Sequence, residues 1–166
     1  PLIIYVDKQE IVTLMTLGTN PELLVLGYLH NQGFIKSIKD IKEIYVDWDV
    51  DAAIVVTKNG TIDWEEKLKK RTVTSGCGQG TVFGNIIEDL ENIKMPKPKL
   101  LQSSFYRLLH NIRQYNEVYK KSGAVHGCAL CDDKNIIDFV EDVGRHNAVD
   151  AIAGHMWLNS ISGEEK

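Results

Sequence analysis

Glu141-Asp142-Val143-Gly144-Arg145-His146-Asn147-Ala148 reads as the junction of a strand and a helix, and the fold is decided there. Upstream, residues 124–130 and 135–141 have strand character, with Asp132-Asp133-Lys134 between them as a hairpin turn. Downstream, Val149, Ile152, Ala153, Met156 and Trp157 recur at the spacing of one buried helix face. Gly144 permits a tight turn, which places Arg145, His146 and Asn147 around the helix N-terminus. Free N–H groups and the helix dipole attract an anion there. Asp142 can then accept hydrogen bonds from a base edge or hold Arg145. Polar residues at a strand-to-helix turn are how open sheets bind nucleotides. A plainer reading stands beside this one: Asp142 and Asn147 cap the helix, and Arg145 and His146 are solvated. Spacing alone does not separate the two.

Working outward, residues 2–6 and 11–15 are apolar, β-branched runs around Asp7-Lys8-Gln9-Glu10, the pattern of a hairpin. Asn20-Pro21-Glu22 starts a helix: Asn20 can cap it, Pro21 suits its first position, and Glu22 faces the positive end of the dipole. Leu23, Leu24, Leu26 and Leu29 form its apolar side and Gly33 closes it. Residues 41–48 and 52–57 read as a second strand pair, followed by a Lys58-Asn59-Gly60 turn. Lys94-Met95-Pro96-Lys97-Pro98-Lys99 is the clearest connector, because two prolines two apart resist both helix and central strand. Beyond it Leu101, Phe105, Leu108, Leu109, Ile112 and Tyr115 predict one helix running to about Gly123. The tail from Ser160 reads as frayed. The expected class is α/β, a mixed sheet flanked by helices with an N-terminal hairpin-plus-helix segment. The organisation expected is residues 1–95 and 100–166, packed as one integrated unit.

The chain has 166 residues, 43% apolar and 25% charged, enough for one substantial core. A net charge of −4 argues against a broad nucleic-acid or acidic-membrane footprint. Lys69-Lys70-Arg71 and the 97–99 lysines read as solvated surface charge. No apolar run reaches the ~20 residues that span a bilayer, and no basic-then-apolar leader opens the sequence. Three cysteines, an odd number, fit a reducing compartment, so the expected location is cytoplasmic.

Cys77 sits among glycines at 76, 78, 80 and 84, with no large apolar neighbour within three residues. Free cysteine is most often a small buried hydrophobe, but this setting suits an accessible thiol whose thiolate acts as nucleophile and sulfur carrier. The loop lacks the Gly-Lys-Ser/Thr ending of a phosphate loop, and Phe83 stands where a dinucleotide loop needs its third glycine. His126-Gly127-Cys128-Ala129-Leu130-Cys131 invites a zinc reading. Strand alternation puts His126 and Cys128 on one face and Cys131 on the other, so packing is the favoured reading for the cysteines and no metal is expected. His126 keeps space beside it from Gly123 and Gly127. A zinc deaminase is disfavoured, because Cys128 stands where the catalytic Glu of those enzymes would be.

Residues 122–130, Ser-Gly-Ala-Val-His-Gly-Cys-Ala-Leu, followed by Val140-Glu-Asp-Val-Gly-Arg-His-Asn-Ala-Val-Asp150, resemble the FdhD family of formate dehydrogenase accessory sulfur carriers. Leu14-Met15, then residues 23–29 and Gly33-Phe34-Ile35, are similar to the family's early strand-helix segment, so the resemblance covers residues 1 to about 155. It implies a cytidine deaminase-like α/β fold without deaminase chemistry. It also implies a role in sulfur delivery, in which a cysteine desulfurase loads sulfur onto Cys77 as a persulfide. The carrier then passes it to the molybdenum bis-pterin guanine dinucleotide cofactor before the formate dehydrogenase apoenzyme takes that up. Such a protein is a sulfurtransferase-type carrier, with the cofactor as transient cargo. By the same resemblance the Gly144-Arg145-His146-Asn147 turn belongs to the region meeting the guanine nucleotide end, and the turn from Asp142 to Asn147, with His126, is expected to help hold the cofactor. A homodimer is compatible with it, and further cofactor-binding residues are expected beyond position 166. Gly80 departs from the family loop, which carries a second cysteine at that position. That departure motivates an alternative, a chaperone that binds the cofactor's guanine nucleotide without passing sulfur.

Overall fold

The computed structural model describes residues 1–58, 60, 71–74, 80–83 and 100–163, the side chains of 71–74 and 80–83 excepted. Cys77, Asn59 and the 94–99 connector lie outside the described residues.

β1 (Leu2–Val6) alternates buried and half-buried positions, with Leu2, Ile4 and Val6 turned fully into the core. It pairs antiparallel with β2 (Gln9–Leu14) across a two-residue turn. Asp7 and Lys8 both take positive φ, 47° and 75°, the mirror-image turn whose twist suits a hairpin. Asp7 is fixed further by Thr57, whose backbone N–H and hydroxyl donate to its two carboxylate oxygens at 2.8 and 2.5 Å. β3 (Ile41–Asp47) and β4 (Ala52–Thr57) form the second expected pair, and β4 lies parallel to β1. The result is a mixed four-stranded sheet in the order β2-β1-β4-β3. β5 (Arg71–Thr74) and β6 (Gly80–Phe83) form an antiparallel ladder closed by Thr74 opposite Gly80. In sequence, Cys77 falls between these two strands.

α1 (Pro21–Asn31) begins at the expected proline, but Asn20 makes no side-chain capping hydrogen bond. Its C-terminus ends as the sequence predicts. Gly33, at φ 68°, lets its own N–H reach the His30 carbonyl and that of Phe34 reach the Leu29 carbonyl. Six consecutive residues, Leu24 to Leu29, are buried, so α1 is enclosed all round rather than on one side. The expected single helix after the connector is two. α2 (Gln102–Tyr115) stops at Asn116 and α3 (Glu117–Ser122) restarts there. Of the predicted apolar face Leu108 is buried and Ile112 half-buried, whereas Leu101, Phe105, Leu109 and Tyr115 are exposed.

β7 (His126–Cys131) and β8 (Ile136–Asp142) form the expected hairpin, with Asp132 accepting the Lys134 and Asn135 N–H groups in its turn. α4 (Arg145–Leu158) packs on α1 and on this hairpin. Its buried residues are Asn147, Ala148, Ala151, Ile152 and Gly154. The predicted face is therefore rotated: Ile152 is buried, but Val149 is 52% exposed. Two packing partners on different sides replace the single face that periodicity assumes. α1 and α4 touch backbone to backbone, because Gly27 lies against the Asp150 carbonyl and Gly154 against that of Leu23. One hydrophobic cluster joins Leu2, Val25 and Val55 from the first part of the chain to Leu130, Val140 and Ile152 from the second.

Candidate functional site

The strand-to-helix corner is built around a buried carboxylate. Asp142 ends β8 at 4% exposure. Burying a charge is costly unless donors surround it, and four do. Oδ2 accepts from the Thr16 hydroxyl at 2.5 Å and the Leu17 N–H at 3.0 Å. Oδ1 accepts from the Gly144 N–H at 2.8 Å and Asn147 Nδ2 at 2.9 Å. Asn147, also buried, donates a second time to the Met15 carbonyl at 2.7 Å. Asp142 and Asn147 thus clamp the segment between β2 and α1 onto the turn between β8 and α4. Their side chains are occupied by this chain's own groups, and neither Arg145 nor a base edge is needed to satisfy them.

Gly144 has an ordinary φ of −103°, so a left-handed turn is not what calls for glycine. A Cβ there would stand 2.9 Å from Asn147 Nδ2 and 3.0 Å from its Cγ. The glycine makes room for the clamp. Gly18, on the facing segment, does have positive φ, 78°, and lies beneath the Trp48 ring.

With the clamp turned inward, Arg145 and His146 are left exposed. His126, also exposed, starts β7 directly opposite Asp142 in the ladder. His126, Asp142, Gly144, Arg145, His146 and Asn147, all drawn from the sequence, therefore meet at one corner. Cys77, the other predicted site residue, lies outside the described residues. Sequence reasoning missed Thr16, Leu17 and Met15; the polar break Thr16-Leu17-Gly18-Thr19-Asn20 between strand and helix is the signal that marks them. It also missed Glu141, which points away from the clamp and accepts the N–H groups of Val118 and Tyr119 at 2.8 Å each. Beside it opens a cleft of about 550 Å³ bordered by Thr19, Asn20, Tyr115 and Phe139.

Cys128 is half-buried against the core. Burial, then the neighbouring Cys131 thiol and the Asp138 carboxylate, push its pKa above the ordinary thiol value. Cys131 is raised by burial and by Asp132. Both thiols are thereby kept protonated, the opposite of what a nucleophilic cysteine needs. On the α4 side Asp138 pairs with His155 Nδ1. Among the described residues no group of three or more His, Cys, Asp or Glu could hold a metal ion. No helix among them is long and apolar enough to cross a membrane.

The whole chain, residues 1–166, matches the model of the FdhD/NarQ family. It is 31% identical over 169 residues to the sulfur carrier protein FdhD of Bacillus subtilis strain 168, covering 100% of this chain and 64% of that protein. To the sulfur carrier protein FdhD of Listeria monocytogenes serotype 4b it is 32% identical over 170 residues, covering 100% and 65%. Its fold is shared with a crystal structure described as a formate dehydrogenase accessory protein from Desulfotalea psychrophila. There the TM-score is 0.70 at 24% identity, over 98% of this chain and 60% of the other. The chain thus spans just under two thirds of the length of the curated relatives it matches. The Glu-Asp-Val-Gly-Arg-His-Asn corner and the match over all its residues place this chain in the FdhD/NarQ family.

Proposed function

We propose that this chain is a sulfur carrier for formate dehydrogenase. In this reading the Cys77 thiolate attacks the terminal sulfur of a cysteine desulfurase persulfide; a new S–S bond forms and the desulfurase cysteine leaves as thiolate. An external thiol then attacks the inner sulfur of the Cys77 persulfide, breaking the S–S bond and leaving a mixed disulfide on Cys77. The departing sulfide passes to the molybdenum bis-pterin guanine dinucleotide before the apoenzyme accepts it. The outward residues of the corner, Arg145 and His146 with His126 beside them, hold the guanine nucleotide end of that cargo. Asp142, Gly144 and Asn147 contribute by fixing the shape of the turn. The observation that carries the reading is the exposed Arg145-His146 pair on a rigidly clamped turn, in a chain whose relatives bear the name sulfur carrier. The raised pKa values of Cys128 and Cys131 lower the thiolate fraction of both, which supports Cys77 as the carrier.

The test is incubation with a cysteine desulfurase and cysteine, followed by intact and peptide mass spectrometry. One added sulfur on the Cys77 peptide is expected, and its absence removes the proposal. Gly80, where the family loop carries a second cysteine, favours a second reading in which the chain binds the cargo without passing sulfur. Cys77→Ala separates the two. The carrier loses enzyme maturation and keeps guanine nucleotide binding, whereas the chaperone keeps both.

A further inference from the structure

The far end of α4 borders a second cleft, and the function proposed above gives it no part. Ser160 follows the helix at φ 54°, a left-handed turn that reverses the chain. Its N–H donates to the Trp157 carbonyl at 3.3 Å, and that of Ile161 to the Met156 carbonyl at 2.8 Å. The turn thus satisfies the last carbonyls of α4 and brings Ile161 back beside Met156. Facing it, Phe34 and Ile35 anchor the chain after α1 in the core. A tight turn follows, in which Ser37 Oγ accepts the Lys39 N–H at 3.3 Å and the Ser37 carbonyl that of Asp40 at 3.0 Å. The His30 and Trp157 rings stack 4.4 Å apart and 17° from parallel, joining the ends of the two helices. Between these fixed walls opens a cleft of about 430 Å³. Ile38, Met156, Trp157 and Ile161 supply its apolar lining, and Lys36 and Lys39 are exposed on its border.

The chain carries a net charge of −4, yet among the described residues no Asp or Glu lines this cleft. Neither lysine forms an ion pair among those residues. Two uncommitted cations therefore flank an apolar surface that includes Trp and Met, residue types enriched at interfaces. None of the polar side chains of the lining is buried. A small ligand needs a few fixed polar partners for its head group. A protein segment needs an apolar centre with charge around it, which is what the cleft offers. We propose that this cleft docks an acidic segment of a partner protein. One large apolar side chain of that segment lies against Met156, Trp157 and Ile161, and flanking carboxylates meet Lys36 and Lys39. The inference does not rest on the nucleotide reading of the corner. Twelve residues of α4, ~18 Å, separate Arg145 from Trp157, so a docked protein and a ligand at the corner occupy different surfaces.

The experiment titrates the purified chain with three blocked peptides, Glu-Glu-X-Leu-Glu-Glu, where X is leucine, phenylalanine or tryptophan. Binding is followed by calorimetry and by the Trp157 indole N–H resonance of the nitrogen-15-labelled chain. Saturable binding of at least one peptide is expected, with the Trp157 resonance shifting in step. Lys36→Glu combined with Lys39→Glu should weaken that peptide about tenfold. Both side chains are exposed, so the thermal unfolding curve should stay in place. Replacing the two central apolar residues of the peptide with alanine should weaken it to a similar degree. Raising the salt from about 50 to about 500 mM should weaken it severalfold. Trp157→Ala also removes packing on the core, so the charge reversal is the deciding variant. Failure of all three peptides to bind would overturn the proposal. So would equal affinity for the matching lysine peptide, undiminished binding by the charge-reversed chain, or binding that leaves the Trp157 resonance unmoved.

Discussion

Replacing Gly27 with alanine would put a methyl carbon 1.7 Å from the Asp150 carbonyl oxygen, 2.6 Å from its carbon and 2.7 Å from the Gly154 nitrogen. Ordinary contact begins at 3.4 Å, twice the first of these distances. Every atom in the way is backbone, so no rotamer change relieves the clash and the two helices must separate. Overpacking a well-filled site costs ~1–3 kcal/mol, and a clash with immobile backbone belongs at the upper end. Alanine returns about 1 kcal/mol over glycine in a helix interior. The net expectation is a loss of about 2 kcal/mol. In a chain of this size that is a fall in Tm of roughly 4–8 °C.

Gly154→Ala should cost about as much, since its Cβ would stand 1.9 Å from the Leu23 carbonyl oxygen. The double substitution should cost less than the sum, because one separation of the helices relieves both clashes. Urea and thermal unfolding followed by circular dichroism measure all three. Gly33→Ala is the control. Nothing lies within 4 Å of its Cβ, so its penalty comes only from a φ of 68° and should be about 1 kcal/mol. If Gly27→Ala left stability unchanged or raised it, the close backbone crossing would be wrong.

Four further outcomes follow from the corner and the thiols. Asp142→Ala should destabilise the chain by about 3 kcal/mol or more, read by urea unfolding, because it strands the Thr16, Leu17, Gly144 and Asn147 donors. Gly144→Ala should displace the Asn147 side chain and lower stability by ~1–2 kcal/mol in the same assay; full stability would show that the turn has slack. Cys128 and Cys131 should react with iodoacetamide more slowly at mildly alkaline pH in the folded chain than after unfolding in urea, since burial raises both. Asp150 is a carboxyl whose folded pKa lies above its ordinary 3.8. The folded state therefore keeps its proton longer, and stability falls as pH rises from that value through the folded one. Asp150→Asn should remove this slope from a pH series of unfolding curves.

What is legible in the sequence is local. Pro21 and Gly33 mark the ends of α1 because their effects reach only to neighbouring backbone. Asp132 fixes its turn through groups two and three residues on. The break at Asn116 is not legible. The Val118 and Tyr119 N–H groups that start α3 are met by Glu141, and nothing between residues 101 and 123 announces that acceptor. The buried side of α4 escapes the sequence for a related reason. Periodicity assumes one apolar neighbour, whereas α4 meets α1 on one side and the β7–β8 hairpin on another. Small residues, Ala148, Ala151 and Gly154, therefore carry contacts that a hydrophobicity pattern assigns to large ones. Asp142 stands out in the sequence as important, but its partner Thr16 is 126 residues away, so only the folded chain reveals which role it plays.

That role changes how mutations at the corner must be interpreted. Asp142 and Asn147 are buried and engaged with the chain itself; Arg145 and His146 are exposed. Loss of function at the first pair should travel with loss of stability, because the same hydrogen bonds hold the β2–α1 segment to the turn. Loss at the second pair should leave unfolding curves unchanged, since exposed side chains away from a clamp contribute little to stability. Arg145→Ala should therefore weaken guanine nucleotide binding about tenfold, the scale of one charge-assisted hydrogen bond, with Tm held within a degree or two. The converse pattern, a large fall in Tm with unchanged affinity, would make Arg145 part of the clamp. The exposed side of the corner would then be too small to recognise a nucleotide.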